Sequence, residues 1–241
     1  MTSAGDDLLF VSGISRLDIA RDCLLASPCL QSGGRPLIMR WNASSAADAF
    51  NAVLDSKPAQ RWVVWVHQDV RLPLGWDSLF LAAIERAQAR WSQLAVVGVY
   101  GVVGAGSNAR RVGHVIDRGN LLKEPHDTPC AVDSMDELLF AVRGDTSLRL
   151  DPALGFDLYA TDLVLQAQTA GLTSVVVDAC CEHWSDTPTD GEVSASLARR
   201  VAASGGVFET KWQHRLPVST PCFDVSRPGD IQAFTNTFIQ A

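Results

Sequence analysis

No stretch of this 241-residue chain approaches the ~20 consecutive apolar residues that a membrane-spanning helix requires. The opening residues Met1 to Asp7 are acidic and lack the basic segment that begins a secretory signal. No integral membrane segment and a cytoplasmic location are therefore expected. Basic residues are thinly spread, with no cluster beyond Arg110-Arg111 and Arg199-Arg200, and the formal charge is −7. That balance argues against nucleic acid as a main partner. There is no C-x-x-C pair among the six cysteines, so a structural zinc site has little support. Cys180 and Cys181 are adjacent, which disfavours a disulfide between them, and reduced, mostly buried thiols are expected. Internal repeats, low-complexity tracts and a clear linker are missing as well. With 47% apolar residues the chain can fill one large core.

What is present is concentrated at Trp62-Val63-Val64-Trp65-Val66, which runs straight into His67-Gln68-Asp69. A run rich in Val and Trp reads as a strand buried on both faces of a sheet. Polar groups at the C-terminal end of such a strand emerge where open α/β sheets bind ligands. Side chains alternate along an extended segment, so His67 and Asp69 face one point while Gln68 faces away. An imidazole nitrogen and a carboxylate oxygen converging there could hold a divalent cation. The plainer alternative is a strand end that turns polar on reaching solvent.

Elsewhere the chain alternates strand and helix. Strands are expected at 8–12, 36–41, 62–66 and 94–99, with helices at 17–25, 46–54 and 76–90 between them. This is the pattern of an α/β protein with a mixed, mostly parallel sheet flanked by helices. The glycine-rich stretch 101–119 reads as irregular loops or a short hairpin. A helix from about Tyr159 to Ala170 ends at Gly171, and a strand follows at 173–177. A helical tail covers about 194–208, and Lys211 onward reads as a looser extension.

Several segments together resemble one family. These are Asn42-Ala43-Ser44-Ser45-Ala46 through Asn51, Val66-His67-Gln68-Asp69-Val70 with Gly75-Trp76, Val132-Asp133-Ser134-Met135-Asp136-Glu137, and Tyr159-Ala160-Thr161-Asp162-Leu163. In that order they resemble a family 2-like glycosyltransferase of the GT-A type, more narrowly its streptomycin-biosynthesis-type branch. The resemblance runs from about Leu8 to His183, with Lys211-Trp212 also fitting. It implies one GT-A-like domain over 1–241: a nucleotide-binding half to about residue 100, an acceptor half at about 101–190, and a C-terminal helical extension at 191–241. The implied activity is metal-dependent transfer of a sugar, with inversion, from a nucleotide-sugar donor to a glycan or small hydroxylated acceptor.

By the same resemblance, His67 and Asp69 stand at the metal motif, and His183, in the turn 182–186, stands as a third ligand of Mn2+ or Mg2+. A cation there would offset the charge on a departing nucleoside diphosphate. Ser12, Ser15, Asn42, Ser44 and Asn51 are the candidates for contacting the nucleotide, although turn and N-cap chemistry would account for each. Arg110, Arg111 and Arg143 could reach a diphosphate, or simply be solvated. An inverting transfer needs a carboxylate base. The family start Tyr-Asp-x-Asp reads Tyr159-Ala160-Thr161-Asp162 here, so one frequent acid is alanine. Asp162 and Asp157 become candidate bases, with Glu137 and Asp136 as acceptor-side carboxylates, and helix capping is the competing reading of the first two. Trp76 reads as core or stacking platform, and Trp184 and Trp212 as more exposed. Two rival functions stay open. One is a catalytically weak GT-A-like module that binds a nucleotide or glycan; the other is a metal hydrolase using His67, Asp69 and His183.

Overall fold

The Trp62–Val66 run forms a strand buried along its whole length, and the rest of the molecule is arranged around it. The computed structural model describes residues 7–124, 127–184 and 193–239. The acidic opening Met1 to Asp6, and Ser185 and Asp186 of the expected turn, lie outside the described residues.

The strands in chain order are β1 (Leu8–Ile14), β2 (Leu37–Trp41), β3 (Trp62–Val66), β4 (Val70–Arg71), β5 (Leu94–Gly98), β6 (Tyr100–Val103) and β7 (Arg110–Asp117). They continue with β8 (Asn120–Lys123), β9 (Cys130–Ala131), β10 (Ser134–Met135), β11 (Leu139–Arg143), β12 (Thr173–Val176), β13 (Glu182–His183), β14 (Val218–Ser219) and β15 (Asp224–Val225). The helices are α1 (Leu17–Asp22), α2 (Pro28–Gly33), α3 (Ala46–Asp55), α4 (Trp76–Arg90), α5 (Tyr159–Thr169), α6 (Ala195–Trp212) and α7 (Asp230–Ile239).

The main sheet has the order β2-β1-β3-β11-β5-β12-β9. β1 pairs in parallel with β2 and β3, and β5 with β12. β11 enters antiparallel between β3 and β5, so the third and fourth expected strands are not neighbours. Along β3, Trp62, Val64 and Val66 pack with Trp76 and Phe80 of α4. Val63 and Trp65 pack on the opposite face with Phe50 of α3 and Tyr159 and Leu163 of α5. Both faces are thus covered by helices, and each fully buried Trp or Val contributes about 1.5–3 kcal/mol from lost apolar exposure. Trp76 belongs to this core: it stacks on Phe80 at 4.5 Å and donates to the Ala179 carbonyl at 3.0 Å.

A second sheet has the order β10-β6-β7-β13-β4 with β8 on β7, so of the two readings of 101–119 the hairpin holds, as β6 and β7, and it belongs to a larger sheet. The glycines that suggested loops there allow close approach. Gly113 has φ +111°, and a Cβ on it would lie 2.2 Å from the Val99 carbonyl oxygen. Beyond Lys211 the chain is also more regular than expected, with the β14–β15 hairpin and α7. Glu209 of α6 accepts from the amides of Gly229 and Ile231 at 2.8 and 2.9 Å, which fixes the start of α7 against α6.

Candidate metal centre

The two sheets meet at the exit of β3. The chain leaves the main sheet through His67-Gln68-Asp69 and enters the second as β4, whose Val70 pairs with His183 of β13. Trp184 N–H donates to the Asp69 carbonyl at 2.8 Å, closing the junction. His183 therefore sits in a strand, where a turn was expected, because β13 is held on one side by β4 and on the other by β7.

His67, Asp69 and His183 come together here, with one ligand-type atom from each lying within 4.8 Å of the others. His183 Nε2 is 3.6 Å and His67 Nδ1 3.9 Å from Asp69 Oδ1. That oxygen is buried and has no hydrogen-bond partner among the described residues. A buried carboxylate oxygen without a hydrogen bond is costly unless something positive stands in front of it, which is the proton on His183 or a cation in its place.

The far side of each imidazole is already engaged. His183 Nδ1 lies 2.9 Å from Asp117 Oδ1, which fixes the ring and leaves Nε2 facing Asp69. His67 Nε2 lies 2.6 Å from the Tyr159 hydroxyl, which also accepts from Trp65 Nε1 at 3.0 Å and reaches the Glu137 carbonyl at 3.4 Å. Metal-binding histidines are held in this way, through an outer partner that sets tautomer and orientation. The donor set, two imidazoles and one carboxylate, suits a divalent transition ion such as manganese.

Electrostatics support the same arrangement. Burial raises the cost of ionising Asp69, yet His183 and His67 hold its carboxyl down at about 2. Burial likewise disfavours a charged His183, but Asp117 and Asp69 outweigh it and raise the imidazole to about 10. His67 is shifted down, chiefly by burial, which favours the neutral imidazole.

Glu137 and Asp136 reach this place because β11 runs antiparallel beside β3. Leu138, just before β11, accepts from His67 N–H at 2.9 Å, so the preceding acids lie at the exit of β3. Glu137 is raised well above the ordinary carboxyl value by burial first, then by the charges of Asp157 and Asp136. Asp157 is tied to Arg200 of α6 by two hydrogen bonds of 2.9 Å each. The backbone between them is strained: Leu158 has φ +66°, a conformation rare for a bulky residue and common at functional sites.

The structure does not bring every candidate to this point. Asp162 is fully buried, accepting from Trp212 Nε1 and Lys211 Nζ at 2.7 Å each and from Gln166 Nε2 at 2.6 Å. Trp212 is accordingly buried rather than exposed, while Trp184 is exposed. Asn51 uses both ends of its amide on the backbone of Leu150. Ser44 bonds Asp48 in the N-terminal cap of α3. Ser15 and Asn42 lie at the adjacent carboxyl ends of β1 and β2, where Asn42 N–H donates to Ile14 at 3.0 Å. Ser12 is buried within β1, its hydroxyl without a partner among the described residues. Arg143 lies at the far end of β11, opposite Trp62, and bonds Asp145; Arg111 bonds the Pro221 carbonyl. Ala160 is buried in the core, so an acid missing there is not missing from the cleft.

A scan against protein-family models matches none. The chain is similar to the crystal structure of GalNAc-T7 with UDP, GalNAc and Mn2+, with a TM-score of 0.50 and 11% identity. The similarity covers 97% of this chain and 48% of that one, so this chain spans about half of its length. The fold is GT-A-like. The chain is also 27% identical over 179 residues to "ATP synthase subunits region ORF 6" of Fuscovulum blasticum, covering 63% of this chain and 70% of that protein. A197 from STIV is similar with a TM-score of 0.46 and 13% identity, over 77% of this chain and 91% of that one.

Three residues of the candidate site were not anticipated from sequence in the place the structure gives them: Asp117, Arg200 and the Tyr159 hydroxyl. The Asp117 signal lay in the apparent loop region, and only the parallel register His183↔Asp117 of β13 and β7 reveals it.

Proposed function

We propose that this protein is a metal-dependent glycosyltransferase that moves a sugar, with inversion, from a nucleotide-diphosphate donor to a hydroxyl of a glycan or small acceptor. On this reading it is a streptomycin-biosynthesis-type member of the family 2-like transferases. The nucleotide-binding half ends near residue 100, the acceptor half follows to about 190, and α6 and α7 form the extension. The observation that carries the proposal is the convergence of His67, Asp69 and His183 on one point before an unsatisfied, buried carboxylate oxygen.

These three residues would hold Mn2+ or Mg2+. Bound there, the cation would neutralise charge developing on the diphosphate as it leaves. Ser15 and Asn42, at neighbouring strand ends, would receive the nucleoside, whereas Ser12 is buried inside β1. Glu137 is the proposed base. Burial and the neighbouring Asp157 and Asp136 raise its affinity for the proton a base must accept. The acceptor hydroxyl gives its proton to the Glu137 carboxylate as its oxygen bonds to the anomeric carbon. The bond from that carbon to the diphosphate oxygen breaks on the opposite face. Asp157 raises the proton affinity of Glu137, Arg200 restrains it, and the Leu158 amide holds the carboxylate in place.

Calorimetry on the Mn2+-saturated protein with UDP-, GDP- and dTDP-sugars tests this. Binding of at least one donor, lost in Asp69→Ala, is expected. Failure of every donor to bind, or unchanged binding in the variant, rejects it. Donor binding with neither transfer nor hydrolysis would instead favour a binding module.

A further inference from the structure

Gln68, between two of the candidate metal ligands, points away from them and is used elsewhere. Its carboxamide Oε1 accepts from the backbone amides of Ser15 and Arg16, each at 3.0 Å. Its Nε2 donates to the Ser15 hydroxyl, also at 3.0 Å. Its own carbonyl accepts from Leu24 N–H at 3.4 Å, beyond α1. Arg16, the N-cap position of α1, supplies no side-chain cap of its own. The start of that helix is therefore completed by a side chain 52 residues further along the chain. Three of these contacts fasten the exit loop of β1 to the loop after β3, and the fourth ties in the segment beyond α1.

We infer that Gln68 is a positioning residue that couples occupation of the metal site to occupation of the loop after β1. The inference rests on the proposed function, in which that loop receives the nucleoside. A cation drawn onto His67 and Asp69 orders the tripeptide that carries Gln68. The ordered carboxamide then holds Ser15 and Arg16 in the conformation a nucleotide meets. Coupling of this kind is reciprocal, so a nucleotide on the loop must tighten the cation by the same factor.

The test measures Mn2+ affinity by electron paramagnetic resonance, with and without UDP, in wild type, Gln68→Ala and Gln68→Glu. In wild type, UDP should tighten Mn2+ by about tenfold or more. Gln68→Ala, with unchanged circular dichroism, should reduce that factor to below about threefold. Should the alanine variant fail to fold, Gln68→Met, of similar shape but without the carboxamide, should show the same loss. Gln68→Glu can accept from the same two amides and from the Ser15 hydroxyl, and should restore the factor to within about twofold of wild type. A factor near one in wild type, or one unchanged in Gln68→Ala or Gln68→Met, overturns the inference and leaves the metal site standing. Wild-type protein that binds no Mn2+ overturns the proposed function itself, and this inference with it.

Discussion

Among single residues, His183 has the most testable behaviour. In the metal-free protein Asp117 and Asp69 hold its proton until about pH 10, against 6.5 for an unperturbed imidazole. The stabilisation it provides is fully present below 6.5 and is lost as pH rises through about 10. Asp69 works in the opposite sense: its contribution is present above 3.8 and disappears as pH falls through about 2. Thermal melting of the metal-free protein should therefore fall on the alkaline side, and His183→Gln should flatten that limb. A divalent cation must displace the proton on Nε2. Mn2+ binding should consequently release about one proton and tighten by about tenfold per pH unit between pH 6 and 9, as titration in two buffers of different ionisation enthalpy would reveal. A slope of zero would contradict the assignment of His183 as a ligand. Tyr159→Phe strips both Trp65 and His67 of their oxygen partner. It should cost about 1–3 kcal/mol of stability by denaturant unfolding and weaken Mn2+ by about tenfold or more.

Among elements, α5 and its join to α6 separate an acid held in the core from the acids at the exit of β3. Asp162, a candidate base, and Glu137, an acceptor-side carboxylate, stood out in the sequence alike as acids inside resemblance motifs. Position within the elements distinguishes them: Asp162 points into the α5–α6 junction, while Glu137 precedes β11 at the exit of β3. Lys211→Met leaves Asp162 without its cation and should destabilise the fold by about 3 kcal/mol, measured by urea unfolding. Asp162→Asn should lose stability yet retain turnover of whatever donor is bound. Glu137→Gln should keep the fold and lose about 100-fold or more in kcat. The reverse pattern would move the base to α5. The elements themselves were unevenly legible. β3 and α4 stand where the apolar run and the amphipathic spacing put them, because each buries its own pattern. The β6–β7 hairpin was one of two readings of the glycine-rich stretch, the other being irregular loops: its glycines serve close packing between strands, which local sequence cannot distinguish from a turn.

Across the whole molecule, the alternating strands and helices gave the α/β architecture, and the GT-A-like comparison agrees with it. The insertion of β11 between β3 and β5 was not readable, because it joins segments about seventy residues apart through tertiary pairing alone. That insertion brings Leu138, and Glu137 just before it, to the exit of β3, so the composition of the candidate site depends on the least legible part of the topology. The overall charge of −7 adds a further expectation. An anionic nucleotide approaches an acidic protein, so UDP should raise the melting temperature when Mn2+ is present and leave it unchanged in EDTA. Equal shifts in both would remove the cation from donor binding. The most direct measurement is anomalous diffraction from crystals soaked with Mn2+ and UDP. The account predicts a manganese peak bonded to His67, Asp69 and His183, with the diphosphate on its open side. A peak at any other residues, or UDP bound away from the exit of β3, would contradict it.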